Sequence, residues 1–368
     1  MASEPAATTT GPLAEARVRE ALRRFAGEEV ARGPVQGLGG HASLRTYWRA
    51  GRGARSLMVM VMPPGAKPEE ATQGGPPAEE PFVNVQRYLG RLGVRVPEIR
   101  AFFPPEEGLA GVPGVVMVLE DLGDDMLETR LLAGDDRERL YEAAVDQLAR
   151  LRARAEARPD PACVAFGRRF DRALYRWELD HFREWLLEAW KGAALAPDER
   201  AFVDAEFDRI AAALAAEPLG FTHRDYQSRN LMVLPGGEQA VIDFQDALLG
   251  PRQYDLVALL RDSYVELPPE LVERMLRRWL VRFEEAGGPR LEYEPFRELF
   301  DLLTVQRKLK DAGRFVFIDR VKGNPGFLVS IPASLRYVRE AFDRRPDLAG
   351  LRQVLARHVP ELRPGREP

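Results

Sequence analysis

His223-Arg224-Asp225-Tyr226-Gln227-Ser228-Arg229-Asn230 sets a carboxylate five positions ahead of a carboxamide, and Asp243-Phe244-Gln245-Asp246 places a second carboxylate 18 residues after Asp225. These are the groups needed to move a phosphoryl group. Asp225 can orient an attacking hydroxyl and take its proton. The amide oxygen of Asn230 and the carboxylate of Asp243 can hold Mg²⁺ against nucleotide phosphates, because Mg²⁺ prefers hard oxygen ligands. His223 is expected to hydrogen-bond its loop rather than carry a proton. Arg224 and Arg229 stay open between solvent and phosphate. Asp246 stays open between a metal shell and a helix cap, and Asp255 is expected to cap its helix or brace the loop.

Three groups so far apart in sequence must be delivered by short elements. Phe221-Thr222 reads as the end of a strand before the loop. Residues 231–234 and 240–242, joined by a turn at Pro235-Gly236-Gly237, read as a hairpin that ends on Asp243. Helices are expected over 255–264, 270–285 and 296–309. Upstream, Leu13, Val18, Leu22 and Phe25 recur at helical spacing. Residues 33–40 read as a Gly-rich turn region, and strands are expected at 44–49 and 56–62, parted by Gly51-Arg52-Gly53. Residues 63–81 read as a Pro/Gly/Glu-rich loop. Phe82, Val85, Leu89 and Leu92 share a helical face that stops at Gly93, and 115–119 reads as a strand. Strands gather before about residue 122 and helices after it. The expected fold class is therefore α+β, with a tail over 1–13, a sheet-rich domain over 14–122 and a helical domain over 123–368.

The loop matches the H-R-D-x-x-x-x-N pattern of protein kinases. More closely, the chain resembles the aminoglycoside phosphotransferase family of small-molecule kinases over about residues 17–342. The likeness is sharpest at 40–49 (Gly40-His41-Ala42-Ser43-Leu44-Arg45-Thr46-Tyr47-Trp48-Arg49), 223–246, 250–256 and 305–310. Within that family it is similar to the branch that phosphorylates N-acetylmuramate and N-acetylglucosamine at the anomeric hydroxyl in cell-wall recycling. The resemblance implies a two-lobed protein-kinase-like fold, with a small antiparallel-sheet lobe for nucleotide and a larger, mainly helical lobe for catalysis and substrate. It implies ATP and Mg²⁺ as cofactors and a small sugar as acceptor.

It also implies roles. Asp225 would be the catalytic base, and Asn230 and Asp243 would hold the metal. Gly39, Gly40, His41, Ala42 and Ser43 would form a flap over the phosphates, where glycines allow close backbone approach. Glu120 to Leu122 would be the hinge that meets adenine. Tyr226, Gln245, Gln306, Arg307 and Lys310 are the candidate substrate residues; a charge run like the last three either solvates a helix or faces the cleft. Residues 57–62, Leu57-Met58-Val59-Met60-Val61-Met62, lack the Lys that protein kinases place on this strand. Arg45 and Arg49 are the nearest replacements, with Lys67 farther off. Trp177, Trp185 and Trp190 read as core packing, with stacking on a sugar by one of them left open. Two other readings stand: a kinase for an aminoglycoside or another hydroxylated metabolite, and a catalytically dead nucleotide-binding fold. The intact Asp225/Asn230/Asp243 set disfavours the second.

Composition narrows the classes further. The 368 residues are 45% hydrophobic and 30% charged, which suits a water-soluble chain with a sizeable core. Net charge is −4, from 53 basic and 57 acidic residues, which argues against a nucleic-acid partner. Cys163 is the only cysteine, so it is expected as an apolar filler in a chain with no disulfide. The longest mostly apolar uncharged run, 108–119, falls short of the ~20 residues of a membrane span. The first residues lack a signal peptide's basic start and apolar core. A cytoplasmic protein with no membrane contact and no obligate protein partner is expected.

Overall fold

The computed structural model describes residues 11–38, 45–63 and 79–365. The chain divides into two units, one from the segment up to Gly74 together with Val96–Asp124, the other from Gly75–Arg95 together with Asp125 onward.

The first unit holds a five-stranded antiparallel sheet in the order β1-β2-β3-β5-β4. The strands are β1 (Val35–Leu38), β2 (Thr46–Ala50), β3 (Leu57–Val61), β4 (Ile99–Phe103) and β5 (Val116–Glu120). β3 and β5 are the central pair, in register Val59↔Val118 and Val61↔Val116. Neither carries a polar residue before Glu120, and Val59, Val61, Val116 and Val118 are fully buried, as expected of a strand covered on both faces. The helix Gly11–Ala26 packs Val18, Ala21 and Leu22 against these valines. Its buried stripe begins at Ala14, whereas Leu13 and Phe25 stand 38% and 39% exposed. The expected stripe followed the large side chains, and the observed one follows alanines that let helix and sheet approach. β1 lies inside the stretch expected to be a turn, pairing Val35 with Ala50. β4 was not expected at all.

The second unit is mainly helical. Its longest helix, Tyr293–Lys322, has 30 residues and is buried on all sides from Phe300 to Lys310. It outruns the expected 296–309 because the charges at Lys308, Lys310 and Asp311 look like a helix end but are paired within the interior. Gly313 sits where this helix crosses Arg172–Phe182: a Cβ there would lie 2.7 Å from the His181 carbonyl oxygen. The helix Pro81–Arg91 buries Phe82, Val85 and Leu89 and ends before Gly93, whose φ is 72°, as its pattern implies.

Two short antiparallel pairs lie among these helices. β6 (Gly220–Thr222) pairs with β9 (Leu248–Gly250), and β7 (Leu231–Val233) pairs with β8 (Gln239–Val241). Buried Arg152, from the helix Arg137–Ala157, donates to Phe221 O at 3.2 Å and Gly250 O at 3.0 Å, tying β6 to β9. Among the described residues no helix is long and apolar enough to cross a membrane.

Candidate active site

β6 runs directly into the segment 223–230, whose backbone is held by buried side chains. Asp255, at the start of the helix Tyr254–Leu260, accepts His223 N at 2.8 Å and Arg224 N at 2.9 Å. This grip offsets the cost of Arg224, whose φ of 81° is unfavourable for a side chain of that size. Asp262, two residues past Leu260, accepts Ser228 N at 2.9 Å and Ser228 Oγ at 2.5 Å. His223 is buried between two partners: its Nδ1 accepts the Asp225 N–H at 3.3 Å, so its Nε2 carries the proton and donates to Ile242 O at 3.0 Å. Burial lowers its pKa, consistent with a neutral ring that fixes the loop. Replacing Asp255 by Ala would strand two buried N–H groups. Equilibrium urea unfolding is expected to show a loss of about 1–3 kcal/mol for each.

Ile242 also donates its N–H to Asn230 O at 3.0 Å, which brings the end of the hairpin against the loop and places Asp243 beside Asn230. Asn230 Nδ2 donates to Asp225 O at 2.8 Å. The three residues singled out from the sequence therefore converge. Asp243 has φ 62°, a left-handed conformation that Asp tolerates better than most residues. Gln245 is 1% exposed, and its Nε2 donates to Asp243 Oδ1 at 2.9 Å and Asp246 Oδ2 at 3.1 Å. It orients the two carboxylates, and this replaces the expectation that it reads the substrate. With its nitrogen committed to Asp225 O, Asn230 keeps its oxygen end for a cation. One amide oxygen and one carboxylate are a fitting partial shell for Mg²⁺, which takes its remaining ligands from water and phosphate.

Asp225 is the reachable member of the set, with 36% of its side chain exposed. Burial of its surroundings would raise its pKa, but Arg307, Lys310 and Arg224 outweigh that and hold it below the usual carboxylate value. Arg307 Nη2 donates to Asp225 Oδ1 at 3.1 Å and Nη1 donates to Arg224 O at 2.8 Å. Its guanidinium stacks 4.8 Å from the Tyr254 ring. Gln306 donates to Glu178 Oε2 at 2.7 Å, and Lys310 lies 3.5 Å from Asp311. Gln306, Arg307 and Lys310 are respectively 0%, 1% and 7% exposed, so this charge run is not a solvated face. Replacing Arg307 by Met removes the largest force holding Asp225 ionised. The acid limb of the kcat/KM profile is expected to move to higher pH, while Arg307→Lys restores part of the shift; a pH–rate series checks this.

Other expected site residues stand elsewhere. Tyr226 is fully buried, its hydroxyl 3.0 Å from Ala144 O and 2.9 Å from Gln147 Oε1, so its side chain cannot meet a substrate. Arg229 pairs in two-pronged fashion with Glu128, both distances 2.9 Å, and its guanidinium lies 3.6 Å from the Tyr264 ring. In the sheet unit Arg49 is engaged by Asp121 at 2.7 and 3.0 Å and by Asp124 at 2.9 Å, so it is not available to replace the absent β3 Lys. Glu120 donates its N–H to Glu98 O at 2.9 Å, which leaves that group no role as a donor to adenine. Arg45 and Leu122 are half-buried. Gly39, Gly40, His41, Ala42, Ser43 and Lys67 lie outside the described residues. Cys163 is buried, and burial pushes its thiol up to about 11, the behaviour of a filler rather than a nucleophile.

Glu178 and Asp262 were missed. Glu178 has a legible signal: it shares a helix face with Tyr175, Leu179 and Phe182, all buried, and a carboxylate on such a face needs a reason. Asp262 lies seven residues after Asp255, just beyond the end of the helix that Asp255 opens, in a run of buried residues.

A convergent Asp-Asn-Asp set at strand ends, in a helical unit that follows a five-stranded antiparallel unit along the chain, defines a kinase-like phosphotransferase. The profile of the Phosphotransferase enzyme family matches residues 34–307, and the chain belongs to that family. It is 35% identical over 316 residues to the N-acetylmuramate/N-acetylglucosamine kinase of Pseudomonas aeruginosa, covering 86% of each chain. It is 31% identical over 344 residues to the kinase of the same name from Pseudomonas putida, covering 92% of this chain and 93% of that one. Among solved structures, the GDP complex of wild-type aminoglycoside 2′-phosphotransferase-IIIa aligns with a TM-score of 0.59 at 13% identity, over 89% of this chain and 98% of that one. This likeness shows the shared fold.

Proposed function

We propose that this protein is an ATP- and Mg²⁺-dependent kinase that phosphorylates the anomeric hydroxyl of N-acetylmuramate or N-acetylglucosamine. The observation that carries the reading is the Asp225 carboxylate, reachable from solvent, ion-paired to Arg307 at 3.1 Å and adjoining Asn230 and Asp243. Asp225 accepts a hydrogen bond from the acceptor hydroxyl, aligns its oxygen for in-line attack and receives its proton as the new P–O bond forms and the bond from the γ-phosphorus to the bridging oxygen breaks, releasing ADP. Asn230 and Asp243 would hold Mg²⁺, which supplies charge neutralisation at the phosphates. Gln245 keeps Asp243 in place while charge builds. Arg45, with backbone groups of the 120–122 segment, is assigned to the nucleotide.

The choice of acceptor is supported by the substrate named for the relatives. An acceptor panel of N-acetylmuramate, N-acetylglucosamine, an aminoglycoside and choline, with ATP and Mg²⁺, tests the assignment. Turnover confined to the amino sugars is expected. Turnover only on the aminoglycoside or choline would overturn it.

A further inference from the structure

The Arg172–Phe182 helix and the long Tyr293–Lys322 helix cross beside Asp225, and the seam between them carries groups that the reaction above does not use. The inner end of the seam is the Glu178–Gln306 bond at 2.7 Å, one residue from Arg307. Moving outward, Lys310, Arg314 and Phe317 follow at spacings of four and three, which places them on one face of the long helix. Opposite them stand Trp177 and His181. Gly313 allows the two backbones to come this close.

The outer seam is aromatic and cationic. Trp177 stacks on His181 at 5.2 Å with 26° between planes, and His181 lies 5.2 Å from Phe317. The Arg314 guanidinium sits 4.9 Å from the Phe317 ring centre. Trp177 is 38% exposed, although its chain neighbour Glu178 is fully buried and Trp279 elsewhere is fully buried too. The expectation that Trp177 packs in the core is therefore corrected: His181 supports the indole, and much of it remains accessible. The helix then continues in a π-helical stretch, Arg183–Trp190, a geometry that is rare and concentrates at functional sites. Rings with a polar handle and a neighbouring guanidinium are a lining suited to a small polar ligand with one apolar face.

Given that functional reading, on which this inference rests, we propose that Trp177 and Arg314 form the outer acceptor subsite: the apolar face of the pyranose packs on Trp177, and the lactyl carboxylate of N-acetylmuramate pairs with Arg314. The geometry suits the molecule. Arg314 is seven residues beyond Arg307, a rise of about 10 Å along the helix. The lactyl group is carried on O3, two ring carbons from the anomeric centre, so a sugar whose reacting oxygen is at Asp225 can direct its carboxylate along this seam. N-acetylglucosamine has no such carboxylate and would use only the Trp177 part.

The test is the ratio of kcat/KM for the two sugars in the full-length enzyme, with thermal unfolding of each variant as the folding control. Arg314→Gln is expected to shift the ratio against N-acetylmuramate by about tenfold or more, the effect of losing one charge-assisted hydrogen bond, and Arg314→Lys to recover part of it. Trp177→Ala is expected to raise KM for both sugars together, and Trp177→Phe to keep most of the affinity. An unchanged ratio in Arg314→Gln, in an enzyme that turns over both sugars, overturns the subsite and leaves the functional reading standing. A wild-type enzyme that phosphorylates neither sugar overturns both.

Discussion

Asp225→Asn is expected to bind ATP almost as the wild type does and to lose nearly all turnover. The substitution preserves shape, so the hydrogen bond from Asp225 N to His223 and the acceptance by Asp225 O from Asn230 both persist. What disappears is the negative oxygen that faces the acceptor and the site for its proton. Loss of a positioned general base costs roughly 10²–10⁴ in rate. The deficit should fall on kcat rather than on KM for ATP. Arg307, 2% exposed to solvent, keeps only Asp311, at 4.0 Å, as a carboxylate partner, so a modest drop in unfolding temperature should accompany the loss. Calorimetric titration of ATP together with steady-state kinetics checks both halves. An Asp225→Asn enzyme with near-wild-type kcat would mean that the base lies elsewhere.

Asp243→Asn is expected to be nearly as damaging, for a different reason. Position 243 requires a left-handed backbone, φ 62°, which Asn adopts about as readily as Asp. Any loss then reports the charge and not the turn, whereas Ala would confound the two. The Gln245 Nε2 that donates to Asp243 Oδ1 can still find the amide oxygen. Removing one group that stabilises charge on the reacting phosphate typically costs about 10²–10³ in kcat. The Mg²⁺ concentration for half-maximal rate should rise as well, because one anionic ligand is gone. A magnesium titration of the initial rate, at fixed ATP, separates this from Asp225→Asn, for which the magnesium midpoint should not move.

The chemistry was more legible than its support. The spacing of Asp225, Asn230 and Asp243 revealed a site because chemistry demands residue types that packing does not, and the hairpin between Asn230 and Asp243 announced itself through Pro235-Gly236-Gly237. The bracing residues were harder. Asp255 and Asp262 act on backbone N–H groups, which no sequence displays, and Glu178 pairs with Gln306 from 128 positions away. Gln306, Arg307 and Lys310 also read as a solvated helix face, and only the fold shows that these side chains are buried against Glu178, Asp225 and Asp311. Tyr226 misled for the same reason: it follows Asp225 in sequence, but its hydroxyl is buried against Ala144 O and Gln147 Oε1. In the sheet unit, β3 and β5 were plain from their apolar runs. β1 and β4 were not, since Val35-Gln36-Gly37-Leu38 carries a glycine, and Ile99-Arg100-Ala101 becomes a strand only by pairing with β5.

Transfer to the anomeric oxygen is tested most directly by phosphorus NMR of the product formed from N-acetylmuramate labelled with carbon-13 at C1. A single phosphomonoester resonance split by coupling to the labelled carbon, formed by the wild type and not by Asp225→Asn, is the expected result. A phosphomonoester without that coupling, or one formed equally by both proteins, would contradict the placement of the acceptor hydroxyl at Asp225.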